Sequence, residues 1–165
     1  QAKHIITDDF FGIILADDLI LSEPGCLKQL LEIHEKTQSS VLGVFSAPEN
    51  QVSNYGVISS KNIDGIEKVD GIVEKPKPAD APSNLAVFGR YILSKDIFLN
   101  IEQTKPGLNN EIQLTDAIQD LISNQDVFAL EFEGRRFDCG SKEGYISAII
   151  DRALSIDKYK SIIEK

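Results

Sequence analysis

Glu74 and Lys75 place an acid beside a base in the run from Gly71 to Tyr91, GIVEKPKPADAPSNLAVFGRY, between two apolar segments. A carboxylate there can accept hydrogen bonds from sugar hydroxyls, and a lysine can meet a phosphate as a point charge. The same two residues can equally form a solvated ion pair on a surface loop, which does little. Further carboxylates stand in the doublet Asp17-Asp18, after the apolar run Phe10 to Leu15, and at Asp138 in Arg136-Phe137-Asp138-Cys139-Gly140. Ligands of α/β sheets bind beyond the carboxyl ends of strands, so the doublet is placed either to hold a cation or to cap a turn. Asp-Cys-Gly alone reads as a turn. Taken with an aspartate of the doublet, Asp138 offers the second oxygen ligand that a magnesium ion wants, the other positions going to water and phosphate.

The elements that must position these groups follow from pattern. Gly71-Ile72-Val73 and Leu85 to Phe88 are expected as buried strand segments joined by a loop stiffened by Pro76, Pro78 and Pro82. Residues before proline are pushed to extended geometry, which predicts drawn-out Lys75, Lys77 and Ala81. Strand alternation turns Glu74 and Lys75 to opposite faces unless the strand ends between them, and the same holds for Asp17 and Asp18. Phe10 to Leu15 reads as a strand buried on both faces, and Val41 to Phe45 as another. Pro24 to Lys36 reads as a helix burying Leu27, Leu30 and Leu31, with His34 structural. At Tyr55-Gly56 the glycine permits either close approach of a ligand or a bulge. Lys61 to Val69 is expected as a hairpin, and Lys95 to Gln103 as a helix capped by Ser94. Glu111 to Ser123 is expected as a helix docked through Leu114, Ala117, Ile118, Leu121 and Ile122, with Thr115 a candidate cap. Val127 to Phe132 alternates like a strand, and Ser141 can cap a final helix over Tyr145 to Leu154. The lysine-rich tail to Lys165 is a solvated helix end or a partner surface. Alternation of strand and helix indicates an α/β fold with a mainly parallel sheet in a single domain, residues 1–165.

Composition bounds the partners. A chain of 165 residues with 42% hydrophobic residues can bury a core. Its formal charge of -9 argues against a nucleic-acid partner, which needs a basic face. Cys26 and Cys139 lie far apart without metal spacing, indicating a reducing, cytoplasmic setting. No apolar run is long enough for a bilayer, so no membrane partner is expected.

The blocks VEKPKPADAPSNLAVFGRY, NNEIQLTDAIQDLI and RRFDCGSKEGY, in that order, resemble the bacterial UTP:glucose-1-phosphate uridylyltransferases, which are sugar nucleotidyltransferases. The likeness runs from about Phe11 to Ala153. It implies a Rossmann-like mixed sheet flanked by helices, of the nucleotide-diphospho-sugar transferase type. It also implies attack of a glucose 1-phosphate oxygen on the α-phosphorus of UTP, giving UDP-glucose and pyrophosphate. Through Leu15-x-Asp17 and the DCG pattern, it assigns magnesium to Asp17 and Asp138, with Asp18 less certain. Lys75 then neutralises the sugar phosphate, and Tyr55, Gly56, Glu74, Asn84 and Val87 read the glucose. Such enzymes begin with a glycine-rich loop that grips the nucleotide, and this chain has no GxG run. It is therefore expected to be the C-terminal portion of a longer, homo-oligomeric enzyme, inactive alone and prone to self-association. The alternatives are a non-catalytic sugar-phosphate-binding module and a glucose-1-phosphate thymidylyltransferase.

Overall fold

The structure is a computed structural model and describes residues 2–107 and 110–163. Asn109, which opens one motif block, and Glu164 and Lys165 of the lysine-rich tail lie outside the described residues. In chain order the elements are β1 (Phe10–Ile14), β2 (Asp18–Leu21), α1 (Cys26–Thr37), β3 (Ser40–Ser46), β4 (Gly56–Ile63), β5 (Ile66–Glu74), β6 (Leu85–Ser94), α2 (Ile97–Gln103), α3 (Leu114–Asn124), β7 (Val127–Glu131), β8 (Arg135–Asp138), α4 (Lys142–Leu154) and α5 (Asp157–Ile163). The expected α/β fold, a mixed sheet flanked by helices, is present. A six-stranded sheet runs in the order β1-β6-β3-β7-β5-β4, and β2 pairs β8 in a separate two-stranded ribbon. The sheet is not mainly parallel as expected: among the described residues parallel pairing is found between β3 and β7, and the other pairings are antiparallel, because β4 and β5 are joined by a hairpin and β6 runs against each strand it pairs with. One pair, Val57 with Ala86, joins β4 to β6 and curls the sheet back on itself.

Burial explains why these segments become strands and helices. Along β6, Val87, Tyr91 and Leu93 pack into one core with Leu42 and Val44 of β3, under Ala117, Ile118 and Leu121 of α3. Phe88 and Ile92 face a second core with Val41, under Cys26 and Leu30 of α1. The period of two along the strand thus feeds helices on both faces of the sheet. The β4–β5 hairpin turns at Asp64-Gly65, with φ of 53° and 85°, the left-handed pair favoured in two-residue hairpin loops.

β1 differs from expectation. It pairs with β6 alone and lies at the sheet edge, so Ile14 is 59% exposed rather than buried on both faces. His34 is structural, its Nδ1 lying 2.7 Å from the Ser39 carbonyl and its ring against Phe10. Among the described residues, no helix is long and apolar enough to cross a membrane.

Candidate active site

Glu74 is the last residue of β5 and pairs with Gly56, the first of β4. Lys75 leaves the strand with φ of 44°, while its N–H donates to the Tyr55 carbonyl at 2.9 Å. The pre-proline rule predicted an extended Lys75. It holds at Lys77 and Ala81, both extended, and fails at Lys75, where the chain must turn off the strand with its N–H still tied to β4's approach. That left-handed step brings the two side chains to one side. Lys75 Nζ lies 3.3 Å from Glu74 Oε1, and both residues line a cleft of about 340 Å³. Thr115, inside α3 rather than capping it, donates its hydroxyl to Glu74 Oε2 at 2.8 Å.

Gly56 is buried in the cleft wall and is not a bulge, since the β4 register shifts between Ser59 and Ser60. A Cβ at Gly56 would stand 2.6 Å from Thr115 Cγ2, so close packing within the protein already requires glycine there.

The opposite wall is built by the ribbon. β1 has ended at Ile14, so alternation does not decide between Asp17 and Asp18, and both reach the cleft. Their environments separate them. Asp18 pairs with Asp138 in the ribbon register and is 8% exposed. Its Oδ1 accepts from Arg136 Nε at 2.6 Å, and its Oδ2 accepts from the Gly89 N–H at 3.0 Å. Asp17 is exposed, with its carbonyl accepting from the Cys139 N–H at 2.7 Å. That bond draws Asp17 beside Asp138. Asp138 Oδ1 and Asp17 Oδ2 lie 3.1 and 3.3 Å from the point a Gly140 Cβ would occupy. Asp138 Oδ1 also accepts from the Gly140 N–H at 3.0 Å, and Ser141 caps α4 by accepting from the Gly144 N–H.

Two arginines brace this wall. Arg136 lies with its guanidinium carbon 4.7 Å from the Phe45 ring centre and 5.2 Å from that of Tyr55, and Nη1 is 3.4 Å from the Tyr55 hydroxyl. Burial works to lower its pKa, but the Tyr55 hydrogen bond and the Asp18 charge outweigh it and raise the group above its usual value. Arg90 of β6 donates to the carbonyls of Leu15 at 3.2 Å, Gly89 at 2.7 Å and Asp18 at 2.5 Å, tying the turn that carries Asp17 to the main sheet. Burial, followed by the charges of Asp18 and Glu74, raises the pKa of the Tyr91 hydroxyl at the cleft floor, which keeps it neutral.

Asp17 and Asp138 fit a magnesium ion: hard oxygen donors on exposed residues, both lying beside Gly140. Magnesium takes one or two carboxylates together with water and substrate phosphates rather than an all-protein cage. Among the described residues no group of three or more His, Cys, Asp or Glu forms such a cage.

The cleft therefore gathers Asp17, Tyr55, Gly56, Glu74, Lys75, Val87 and Asp138. Asn84 is not among them. It lines a separate hollow with Ala47, Glu49 and Ser83, its carbonyl accepting from the Ala47 N–H. Arg136 was missed by the reading of residue types, although two-residue spacing from Asp138 in a strand is a signal that both share a face. Arg90 and Thr115 carried no local signal, because their roles exist only through partners far along the chain.

The nucleotidyl transferase family model matches residues 1–153. The UTP–glucose-1-phosphate uridylyltransferase of Pseudomonas aeruginosa is 48% identical over 149 residues, covering 88% of this chain and 53% of that protein. A crystal structure of UDP-glucose pyrophosphorylase complexed with UDP-glucose aligns with a TM-score of 0.90 at 43% identity, over 94% of this chain and 60% of that one. A UTP-bound enzyme of the same kind from Acinetobacter baumannii aligns with a TM-score of 0.83 at 34% identity, over 99% and 59%. The chain spans about half the length of the curated relatives it matches.

Proposed function

The chain belongs to the nucleotidyl transferase family, and on that premise we propose that it forms the sugar-phosphate- and metal-binding portion of a UTP:glucose-1-phosphate uridylyltransferase. The observation that carries this reading is one cleft with a Glu-Lys pair on one wall and two converging carboxylates on the other. Glu74 accepts from glucose hydroxyls, and Lys75 neutralises the phosphate of glucose 1-phosphate. Tyr55, Gly56 and Val87 shape the sugar's berth. Asp17 and Asp138 would hold magnesium, which supplies charge neutralisation for the phosphoryl oxygens of UTP. Asn84 is left out of the sugar-reading set.

Phosphoryl transfer needs positioning and charge neutralisation more than covalent help from the protein. The contribution of these residues is to orient the sugar phosphate so that its oxygen faces the α-phosphorus of UTP, forming the new P–O bond as pyrophosphate departs. UDP-glucose is the product. The proposed setting is the cytoplasm, and the unpaired Cys26 and Cys139 agree with it. Homo-oligomerisation belongs to the same proposal, supported by exposed Leu19, Tyr145, Ile146 and Ile149 on the ribbon and α4.

Calorimetric titration with glucose 1-phosphate and UDP-glucose, with and without magnesium, tests the reading. Binding of both, with UDP-glucose tightened by magnesium and weakened by Asp17→Asn, is expected. Binding of glucose 1-phosphate indifferent to magnesium and to Asp17 would instead favour a sugar-phosphate-binding module.

A further inference from the structure

Thr115 is 8% exposed and sits at the second position of α3, and its hydroxyl is spent on Glu74 Oε2 at 2.8 Å. Lys75 Nζ holds the other oxygen, Oε1, at 3.3 Å. An ionised carboxylate offers about four lone-pair sites, so with these two contacts roughly two remain, in directions fixed by the first two. A glutamate held at one oxygen alone keeps its terminal rotation, which is broad.

The contact depends on Gly56. A Cβ there would lie 2.6 Å from Thr115 Cγ2, 3.0 Å from Val87 Cγ2 and 3.4 Å from Glu74 Oε2. The space left by the absent side chain is where the Thr115 methyl lies when its hydroxyl reaches across from α3 to the end of β5.

We propose that Thr115 is a positioning residue for sugar discrimination: by donating to Glu74 Oε2 across Gly56, it sets the direction in which Glu74 presents its remaining lone pairs to the sugar hydroxyls. This rests on the reading of Glu74 as the carboxylate that meets the sugar. A purely space-filling role makes a different demand, because valine fills the same volume without donating a proton.

The test measures binding of glucose 1-phosphate and galactose 1-phosphate by calorimetry, with thermal melts as a check on folding. Thr115→Val is expected to weaken glucose 1-phosphate about tenfold, the scale of one lost hydrogen bond to a charged group, and to narrow the glucose-to-galactose ratio. Thr115→Ser keeps the hydroxyl and should retain most of the ratio. Gly56→Ala should lose it by pushing Thr115 away, and Gly56→Ala combined with Thr115→Ser should regain part of it, since serine lacks the methyl that clashes. Glu74→Gln runs beside them. Loss of selectivity in Glu74→Gln with none in Thr115→Val overturns this inference alone, and an unchanged Glu74→Gln overturns it together with the reading of Glu74. Equal loss in Thr115→Ser and Thr115→Val, with both variants folded, also overturns it.

Discussion

Arg136 Nε donates to Asp18 Oδ1 at 2.6 Å, and the two side chains are only 14% and 10% exposed. The pair lines the cleft, with each Asp18 oxygen already accepting one hydrogen bond within the protein and the carboxylate charge matched by Arg136.

Removing one member of a withdrawn ion pair leaves the other charge without its partner, which costs about 3 to 5 kcal/mol. Asp18→Asn should therefore lower the melting temperature strongly and leave the magnesium concentration needed to tighten UDP-glucose binding nearly unchanged. Asp17→Asn, at an exposed position, should do the reverse. Melts and magnesium titrations of the two variants side by side check this. An Asp18→Asn variant that is stable but demands far more magnesium would reassign the metal carboxylate.

Asp17 and Asp138 converge on one point beside Gly140, and their losses should not add. If both hold one ion, the first substitution to Asn removes most of the benefit, and the double variant should be little worse than either single one. UDP-glucose affinity and half-saturating magnesium for the two singles and the double decide the matter. Multiplicative losses would mean separate roles.

Lys75 is held in the left-handed region, which disfavours residues with a Cβ by about 1 to 2 kcal/mol. Lys75→Gly should be more stable than Lys75→Ala by about 1 kcal/mol, since neither keeps the amine and only glycine is at ease at that φ. Both should weaken glucose, galactose and mannose 1-phosphates, because a point charge on phosphate carries no information about the ring, and should loosen selectivity less than Glu74→Gln does, since Thr115 still holds Glu74 Oε2. Equal melting temperatures, or a loss confined to one sugar, would count against this account.

Burial, opposed in part by the Arg90 charge, pushes the Cys26 thiol from 9.0 up to about 11. Between those values the unfolded chain has released a proton that the folded chain still holds. Stability should therefore fall as pH rises through that window and be indifferent to this group below it. Cys26→Ala should flatten the fall in denaturant midpoint between pH 8 and pH 10.5. At pH 8 iodoacetamide should label the half-exposed Cys139 well before Cys26, as mass spectrometry of digests can show.

Periodicity was enough to locate most elements, because each signal was local. The Asp64-Gly65 hairpin, the α3 stripe and the Ser141 cap lie where turn chemistry and apolar spacing put them. The edge position of β1 was not legible, since a strand's neighbours are a property of the sheet and not of its own residues. In the site, Glu74, Lys75, Asp17 and Asp138 were legible as residue types. Their gathering needed the left-handed turn at Lys75 and the Cys139 bond to the Asp17 carbonyl, both of which arise from tertiary partners. Asn84, read from the same block as Glu74, falls in another hollow, where its carbonyl is tied to the Ala47 N–H just beyond β3.

β6 gives Val87, Gly89 and Tyr91 to the cleft from alternate positions, and through Gly89 and Arg90 it also anchors the turn before β2. Both walls are thus referenced to a single strand, buried from Ala86 to Ser94. The strand acts as a ruler. The span between Glu74 and the Asp17–Asp138 pair is built into the fold before any ligand arrives, so the entropy of setting that span is met during folding rather than at each binding event.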